Sequence, residues 1–327
     1  MYTVEELQKL VEEEVERRSA ELLKHSPVEL YEPIHYSLGM GGKRLRPVLL
    51  LLAYNLFKTD VSNALPASIA IEVFHNFTLL HDDIMDKANV RRNRPTVHVQ
   101  FNENAAILSG DAMAFQSYKY LLESKSARLT ETIGLFTKTA VEVCEGQQFD
   151  MDFENRLDVT EAEYLEMIRL KTAVLLACSL KAGALLADAS DELAAQLYAF
   201  GENLGLAFQL QDDLLDTFGD QSTFGKKIGG DILANKKTFL LINALQNASE
   251  EKKQELLAWI AKTDFKPEEK IEAVTAIYLE TGVKKMAEKK VDFYFEKAMQ
   301  ILANLNIEHV VKQPLRDLSL KMLTRKN

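Results

Sequence analysis

Apolar residues recur every three or four positions along most of the chain, which is the spacing of the buried face of an α-helix. Residues 7–15 have Leu or Val at positions 7, 10, 11 and 15, and similar stretches cover residues 69–80 and 193–204. No segment alternates strictly between apolar β-branched and polar residues, so the pattern predicts an all-α protein. Polar or turn-forming segments separate the helical stretches at 24–27, 58–63, 89–96, 153–160, 218–235 and 263–267.

Composition supports the same conclusion. The 327-residue chain has only 14 glycines and 7 prolines, about half the usual share of these turn-forming residues, which favours long helices over many short strands. Hydrophobic residues make up 47% and charged residues 27%, as in an ordinary folded protein. No Pro-, Gly- or Ser-rich linker divides the sequence, so we predict a single helical domain over residues 1–327.

The net charge of −10 disfavours a general nucleic-acid or anionic-membrane binder. An anionic substrate would have to be held by local clusters of cations. The longest uncharged run, residues 238–249, is too short to cross a bilayer, and the Glu- and Arg-rich start does not resemble a signal peptide. Two cysteines argue against a disulfide scaffold. We therefore expect a cytoplasmic protein with no transmembrane segment and no nucleic-acid partner.

Two copies of the motif Asp-Asp-x-x-Asp lie in helical stretches, at residues 82–86 and 212–216. The first and last aspartates of each motif share a helix face, and their like charges destabilise the helix unless they are neutralised. A solvated acidic surface is one interpretation of either motif alone. Two copies favour a hard cation such as Mg²⁺, which binds one or two carboxylates together with phosphate oxygens. The candidate metal ligands are Asp82, Asp83, Asp86, Asp212, Asp213 and Asp216.

Basic residues cluster near both motifs. Residues 41–47, Gly-Gly-Lys-Arg-Leu-Arg-Pro, place positive charges beside glycines that allow close approach of the backbone to a ligand. Residues 91–96, Arg-Arg-Asn-Arg-Pro-Thr, follow the first motif, lysine pairs at 226–227 and 236–237 follow the second, and Lys171-Thr172 lies between. This pairing favours a site for one or two diphosphates, held by metal on one side and by Arg and Lys on the other. No nucleotide-binding glycine loop, zinc-ligand spacing or nucleophile motif is present.

These motifs, in this order over residues 41–237, resemble those of the trans-isoprenyl diphosphate synthases. The resemblance implies an all-α fold, a single large helical bundle around a central cavity with the two Asp motifs facing each other across its mouth. It also implies a homodimer. The implied activity is a Mg²⁺-dependent prenyl transfer in which isopentenyl diphosphate condenses with an allylic diphosphate through ionisation, condensation and elimination. The products are a short all-trans prenyl diphosphate, C15 to C20, and diphosphate.

The resemblance also implies roles for individual residues, with three Mg²⁺ ions in each site. Asp82 and Asp86 would hold Mg²⁺ on the allylic diphosphate, and Asp212 would hold a third ion with support from Asp213 and Asp216. The implied ligands of the allylic diphosphate are Arg91, Lys171, Thr172, Gln209, Lys226 and Lys236. The implied ligands of isopentenyl diphosphate are Lys43, Arg46, His75 and Arg92. Gln147 and Asp150 would line the site near the reacting carbon. The residues expected to matter most for catalysis are Asp82, Asp86, Asp212, Lys171, Lys226 and Arg91.

Phe77 lies five residues before Asp82. In this family a large aromatic residue there resembles a floor that stops chain elongation at C15 to C20, and simple core packing is the alternative for this side chain. Phe74 and Thr78 lie closer to the aspartate face of the helix, and His75, seven residues before Asp82, shares that face. The motif spacing lacks the two-residue insertion of the common bacterial farnesyl type, which leaves the chain-length subclass open.

Four other functions compete with this interpretation. A synthase of longer polyprenyl chains would share all of the motifs. A class I terpene cyclase has the first Asp motif but does not need the cations of residues 41–47. A non-catalytic subunit of a heteromeric synthase would be expected to have lost some aspartates, and none is lost here. A metal phosphohydrolase, suggested by the adjacent His81 and Asp82, leaves the second motif unexplained.

Overall fold

The computed structural model describes residues 2–219 and 228–323, and most of them are helical. The prediction of an all-α fold is confirmed. Two strands of two residues each, β1 (Val90–Arg91) and β2 (Arg94–Pro95), form a hairpin. They lie in the segment 89–96, which the sequence predicts to interrupt the helices. None of the described helices is both long enough and apolar enough to cross a membrane. The α-helices, in chain order, are α1 (Val4–Leu22), α2 (Val28–Leu38), α3 (Leu45–Asn55), α4 (Leu65–Met85), α5 (Val97–Gln100), α6 (Glu103–Leu122), α7 (Leu129–Phe153), α8 (Glu161–Ile168), α9 (Val174–Leu186), α10 (Asp191–Phe218), α11 (Gly230–Leu233), α12 (Phe239–Asn247), α13 (Glu250–Ala261), α14 (Pro267–Glu280), α15 (Val283–Asn304) and α16 (His309–Leu323).

Side-chain caps define where several helices begin. Thr3 caps α1 and Thr160 caps α8, each in a capping box with a glutamate three residues later. Asn102, Thr238 and Ser249 accept hydrogen bonds from the third backbone amides of α6, α12 and α13. Each cap satisfies an amide that would otherwise lack a partner, which typically stabilises a helix by about 1 kcal/mol.

One helical run contains a π-turn. Residues Arg169–Ala173 form wider π-type turns between α8 and α9, and they include Lys171 and Thr172. Such insertions in α-helices are rare and frequently occur at functional sites. No helix-breaking residue in the sequence marks this position, so the π-turn was not predictable from the residue pattern.

The described residues group into two compact units. Those of unit 1 lie within Met1–Thr139, Cys178–Tyr198 and Leu305–Leu315. Those of unit 2 lie within Ala140–Ala177, Ala199–Asn304 and Arg316–Asn327. The single domain over residues 1–327 stays a prediction.

The core of unit 1 is built around α3 and α4. Every residue of α3 from 47 to 55 is buried, and most of α4 is buried as well. Gly183 lets its helix approach α3 closely, because a Cβ there would lie 2.1 Å from the carbonyl oxygen of Leu50. The same core contains charged groups, since Arg44 and Glu72 are 6% and 2% exposed.

The core of unit 2 includes one apolar face of α10. Leu206, Leu210 and Leu214 recur every four residues and pack in one buried cluster with residues of α8, α12, α14 and α15. At the start of this face, a Cβ on Gly205 would lie 2.6 Å from Cα of Ala173. The missing side chain therefore allows α10 to pack directly against the π-turn.

Candidate active site

The first Asp motif lies at the end of α4 in unit 1. Asp82 is half-buried, Asp83 is 3% exposed, and Asp86 is the exposed C-cap residue. Carboxylates at the C-terminus of a helix are disfavoured by the helix dipole. Arg91 offsets this charge, because its Nε donates to Oδ2 of Asp83 over 2.7 Å and its Nη2 lies 3.5 Å from Oδ2 of Asp82.

The hairpin places Arg91 and Arg92. Arg91 pairs with Arg94 across the two strands, and Arg92 and Asn93 form the turn with φ angles of 51° and 61°. Two successive residues in the left-handed region form the tight turn that matches the twist of a hairpin. The Arg92 guanidinium lies against Gly42, where φ is +136° and a Cβ would lie 2.7 Å from a guanidinium nitrogen. Glycine is therefore required for this contact.

Residues 41–46 join Arg92 in a cationic cluster. Lys43 is exposed and Arg46 is half-buried at the start of α3. Nη1 of Arg46 lies 3.1 Å from Nε2 of His75 on α4. Desolvation, followed by the positive charges of Arg46 and Arg92, lowers the pKa of His75 well below its usual range. The structure therefore brings predicted ligands of one diphosphate together within unit 1.

Arg44, in the same loop, turns into the core instead. Its Nη1 donates to Oε1 of Glu72 over 2.5 Å and its Nη2 donates to the carbonyl of Leu38 over 2.8 Å. Asn76 also donates to Oε1 of Glu72, over 3.0 Å. Arg44 has φ 47°, so this ion pair holds the loop in a conformation that non-glycine residues rarely adopt. Sequence reasoning missed Glu72, although a lone acid in an apolar helix signals a buried partner.

The predicted chain-length residues lie one to two turns before the first motif on α4. The ring of Phe77 lies 5.4 Å from the ring of Phe74 and 4.8 Å from that of His81. Phe74 is buried and also contacts Phe136, whereas Phe77 is only half-buried. Thr78 donates to the carbonyl of His75 over 2.8 Å. Phe77 therefore belongs to an aromatic cluster that continues towards the aspartates.

The second Asp motif lies in the last turns of α10 in unit 2. Asp212 and Asp216 are half-buried, whereas Asp213 is 4% exposed. The Tyr164 hydroxyl donates to Oδ2 of Asp213, and Nε2 of Gln209 donates to Oδ1 over 2.9 Å. Burial, and then the charge of Asp213, raise the pKa of Tyr164 well above its usual range, so the phenol stays protonated. In both motifs the middle aspartate is thus the buried one.

Gly229 and Asp231 both donate hydrogen bonds to Asp216. The Asp231 amide donates to Oδ2 of Asp216 over 2.9 Å, and the Gly229 amide donates to its carbonyl over 2.7 Å. Burial, and then the carboxylate of Asp231, raise the pKa of Asp213. Asp231 was not among the predicted site residues, and no motif in the sequence marks it. Lys226, a predicted catalytic and substrate-binding residue, lies outside the described residues.

Lys171, Lys236 and Asp150 form one charged cluster in unit 2. Nζ of Lys171 donates to Oδ2 of Asp150 over 2.6 Å, and Nζ of Lys236 lies 4.0 Å from the same oxygen. Burial opposes ionisation of Asp150, but the two ammonium groups prevail and lower its pKa. Gln147 is half-buried on α7, nearly one turn before Asp150. The acid thus holds the lysines in place.

Thr172 connects the π-turn to α10. Its Oγ1 donates to Oε1 of Gln209 over 3.0 Å, and the amide of Gln209 reaches Asp213. Three predicted site residues, Thr172, Gln209 and Asp213, therefore form a continuous hydrogen-bonded chain. Tyr164 completes the chain and was not predicted, because nothing in the sequence relates it to a residue 49 positions away.

The carboxylate oxygens of the Asp motifs suit a hard cation such as Mg²⁺. In unit 1, Oδ1 of Asp83 is buried without a hydrogen-bond partner, so a nearby cation would stabilise it. Within residues 2–219 and 228–323, no three acidic, histidine or cysteine side chains converge as a metal cage. A Mg²⁺ ion completed by phosphate oxygens needs only one or two carboxylates, and the residues present fit that mode of binding.

Comparison with known proteins identifies relatives of the chain. A family model described as polyprenyl synthetase matches residues 27–278. A short chain isoprenyl diphosphate synthase from Methanocaldococcus jannaschii is 45% identical over 249 residues, which are 75% of each chain. A geranylgeranyl diphosphate synthase from Methanosarcina mazei is 45% identical over 222 residues, 67% of this chain and 68% of the relative.

Solved structures show the same similarity in three dimensions. A crystal structure of a geranylgeranyl pyrophosphate synthase is 42% identical, covers 100% of both chains and superposes with a TM-score of 0.93. The all-α architecture of the chain is therefore that of its relatives.

Proposed function

The chain belongs to the polyprenyl synthetase family, and we propose that it is a trans-prenyltransferase. It condenses isopentenyl diphosphate with an allylic diphosphate and releases a short all-trans prenyl diphosphate, C15 to C20, together with diphosphate. The observation that carries the proposal is that each unit combines an Asp motif with cationic side chains suited to phosphate. In unit 1 Arg91 pairs with the first motif, and in unit 2 Lys171 and Lys236 gather at Asp150. The names of the relatives support the short-chain product.

Isopentenyl diphosphate binds to Lys43, Arg46, His75 and Arg92. Arginine has only donors, so Nε2 of His75 accepts the hydrogen bond from Arg46 and its remaining proton lies on Nδ1. The histidine therefore offers a neutral donor, while the arginines and Lys43 supply the positive charge. Charge-assisted and bidentate hydrogen bonds from arginine suit a diphosphate.

Asp82, Asp86 and Asp212, supported by Asp213 and Asp216, would hold three Mg²⁺ ions. Mg²⁺ bound there would supply positive charge that neutralises the diphosphate as it leaves. The remaining ligands of the allylic diphosphate come from this chain's own cations and polar groups: Arg91, Lys171, Thr172, Gln209, Lys226 and Lys236.

The fixed positions of these groups support the transfer step. The Asp150 carboxylate accepts a hydrogen bond from Nζ of Lys171 and orients it, so the positive charge is in place before the diphosphate leaves. Gln147 and Asp150 line the site near the reacting carbon. The double bond of isopentenyl diphosphate attacks the allylic carbocation, and the departing diphosphate takes the proton, so no side-chain base is required.

A homodimer is part of the proposal, and one surface of unit 1 supports it. Leu108, Phe115 and Leu122 recur every seven residues on α6 and are 60%, 77% and 60% exposed. Residues seven apart lie on one helix face, and a row of large exposed apolar side chains favours a protein contact. A second copy of the chain is the occupant that we propose. The cytoplasmic location expected from the sequence stays a prediction.

A product assay tests the function. Purified protein receives Mg²⁺, labelled isopentenyl diphosphate and, separately, the C5, C10 and C15 allylic diphosphates, and the dephosphorylated products are sized. We expect C15 to C20 alcohols, lost on chelation of Mg²⁺ and strongly reduced in Asp82→Asn. Hydrocarbon formed from an allylic diphosphate alone would indicate a terpene cyclase, and phosphate release alone would indicate a hydrolase. No condensation with any primer would contradict the proposal.

A further inference from the structure

One buried polar group of unit 2 has no role in the function proposed above: the hydroxyl of Tyr164. We propose that Tyr164 is a positioning residue: its hydroxyl donates a hydrogen bond to Asp213 in the core and thereby holds the second Asp motif in place. This inference rests on the proposed function, because it concerns how Asp212 and Asp216 are presented to Mg²⁺ and diphosphate. Tyr164 itself lies in α8 and is 1% exposed.

The geometry around Asp213 assigns this role. Tyr164 donates to one carboxylate oxygen and Gln209 donates to the other, so the side chain is held from both sides by neutral donors. Asp213 lies about 100° around the helix from Asp212 and about 60° from Asp216, whereas Asp212 and Asp216 lie about 40° apart. Holding Asp213 in the core therefore sets the rotation of α10 at which the other two aspartates are half-buried and not enclosed in the core.

A second hydrogen bond, from Thr172 to Gln209, helps to hold Asp213 in place. Gln209 accepts a hydrogen bond from Thr172, which lies in the π-turn that continues α8. Tyr164 and Thr172 thus bracket Asp213 and Gln209 from one helical run, at two points eight residues apart. Lys171 is adjacent to Thr172, so the same run positions both a predicted phosphate-binding lysine and the second Asp motif.

The contributions of the ring and of the hydroxyl of Tyr164 can be tested separately by substitution. The ring packs in the core, where its centroid lies 6.4 Å from that of Phe239, and phenylalanine would keep that contact. Tyr164→Phe removes only the hydroxyl and leaves one oxygen of a buried carboxylate without its donor. Replacing a residue that orients metal ligands typically costs about 10- to 100-fold in metal affinity or activity.

The test compares Tyr164→Phe with Tyr54→Phe, which removes the hydroxyl of a tyrosine that is 1% exposed in unit 1. Calorimetry measures the binding of Mg²⁺ with inorganic pyrophosphate, a readout that does not depend on turnover. We expect about 10-fold weaker binding in Tyr164→Phe and no change in Tyr54→Phe. In the condensation assay, Tyr164→Phe should need several-fold more Mg²⁺ for half-maximal rate, with the KM for isopentenyl diphosphate unchanged.

A double-mutant cycle tests whether the effect of Tyr164 depends on Asp213. If Tyr164 acts through Asp213, adding Tyr164→Phe to Asp213→Ala should cause no further loss of pyrophosphate binding. Wild-type binding and Mg²⁺ dependence in Tyr164→Phe would overturn the proposal, as would equal losses in the two phenylalanine variants. A wild-type protein that binds Mg²⁺ and pyrophosphate but makes no product would contradict the proposed function, while the binding comparison would still decide the role of Tyr164.

Discussion

Arg46 donates a hydrogen bond to Nε2 of His75 across 3.1 Å, so two residues of the proposed isopentenyl diphosphate site contact each other directly. Arg46 lies in the first turn of α3, after the glycine-rich loop, and His75 lies in the middle of α4. Burial, and then the surrounding arginines, keep the pKa of His75 well below its usual range. A neutral imidazole among cations is suited to donate a hydrogen bond without adding to their mutual repulsion.

The depressed pKa of His75 predicts how stability depends on pH. The unfolded chain binds a proton at this histidine near pH 6.5, whereas the folded chain does not. The unfolded state therefore gains protons as the pH falls below about 6.5, and the folded state loses up to about 1.4 kcal/mol per pH unit. The free energy of unfolding, measured with urea between pH 5 and 8, should fall less steeply with decreasing pH below 6.5 in His75→Asn than in the wild type.

A second histidine variant controls for this experiment. His309 is exposed near the start of α16 and lies outside the cationic cluster. In His309→Asn the free energy of unfolding should depend on pH as it does in the wild type. If the free energy of unfolding depends on pH in the same way in His75→Asn and in the wild type, the folded protein takes up the proton at His75 as readily as the unfolded chain, and the prediction is wrong.

The buried ion pair of Arg44 and Glu72 predicts a large effect on stability. Arg44→Met leaves the Glu72 carboxylate buried without its cation, which typically costs about 3 to 5 kcal/mol. The double variant Arg44→Met/Glu72→Leu removes both charges and should recover much of that loss. Chemical unfolding measures both. Lys9→Ala, which breaks an exposed pair with Glu13, should change stability by less than about 1 kcal/mol, and a similar small change for Arg44→Met would refute the argument.

Two glycines of α7 should respond in opposite directions to alanine. A Cβ on Gly146 would lie 2.3 Å from the backbone nitrogen of Lys171, whereas a Cβ on Gly134 would meet nothing within 4 Å. Gly146→Ala should displace the π-turn, destabilise the protein by about 1 to 3 kcal/mol and reduce the condensation rate. Gly134→Ala, at an exposed position of α7, should stabilise the protein by about 0.5 to 1 kcal/mol. Thermal unfolding and the product assay check both, and an active, stable Gly146→Ala would contradict the close packing.

The residues that the sequence identified share a visible signal, because charged residues of one sign cluster within short segments. The two Asp motifs and the runs at 41–47 and 91–96 stand out from an acidic, helical chain for this reason. Their surroundings had no such signal. Arg44 is indistinguishable from Lys43 and Arg46 in the sequence, yet only Arg44 turns inwards to Glu72.

Long-range partners and backbone irregularities also escaped prediction. Tyr164 contacts Asp213 because two helices pack together, and helical periodicity carries no information about which helices do so. The π-turn at Arg169–Ala173 contains only ordinary helix residues, and the hairpin turn at Arg92 and Asn93 lacks the glycine that usually marks one. Tertiary packing decides each of these features, so residue spacing alone could not.

The exposed face of α6 predicts an effect on assembly. If a second copy covers Phe115, then Phe115→Asp should convert a dimer into particles of one 37.0 kDa chain, because a charge buried in an apolar contact is strongly unfavourable. Light scattering after size-exclusion chromatography measures the mass. Phe293→Asp, at a residue 54% exposed on α15, is the matched control and should leave the mass unchanged. A wild-type protein that elutes as a single chain would contradict the dimer.

The ring contacts of Phe77 predict a change in product length. Its half-buried ring lies between those of Phe74 and His81, so removing it opens space beside the first Asp motif without removing an aspartate. Phe77→Ala should therefore shift products beyond C20 in the sizing assay. Phe293→Ala, an exposed aromatic on α15, should keep the wild-type distribution. If Phe77 only packs the core, Phe77→Ala will lower the unfolding temperature while the product lengths stay the same, and that result would exclude a floor at this position.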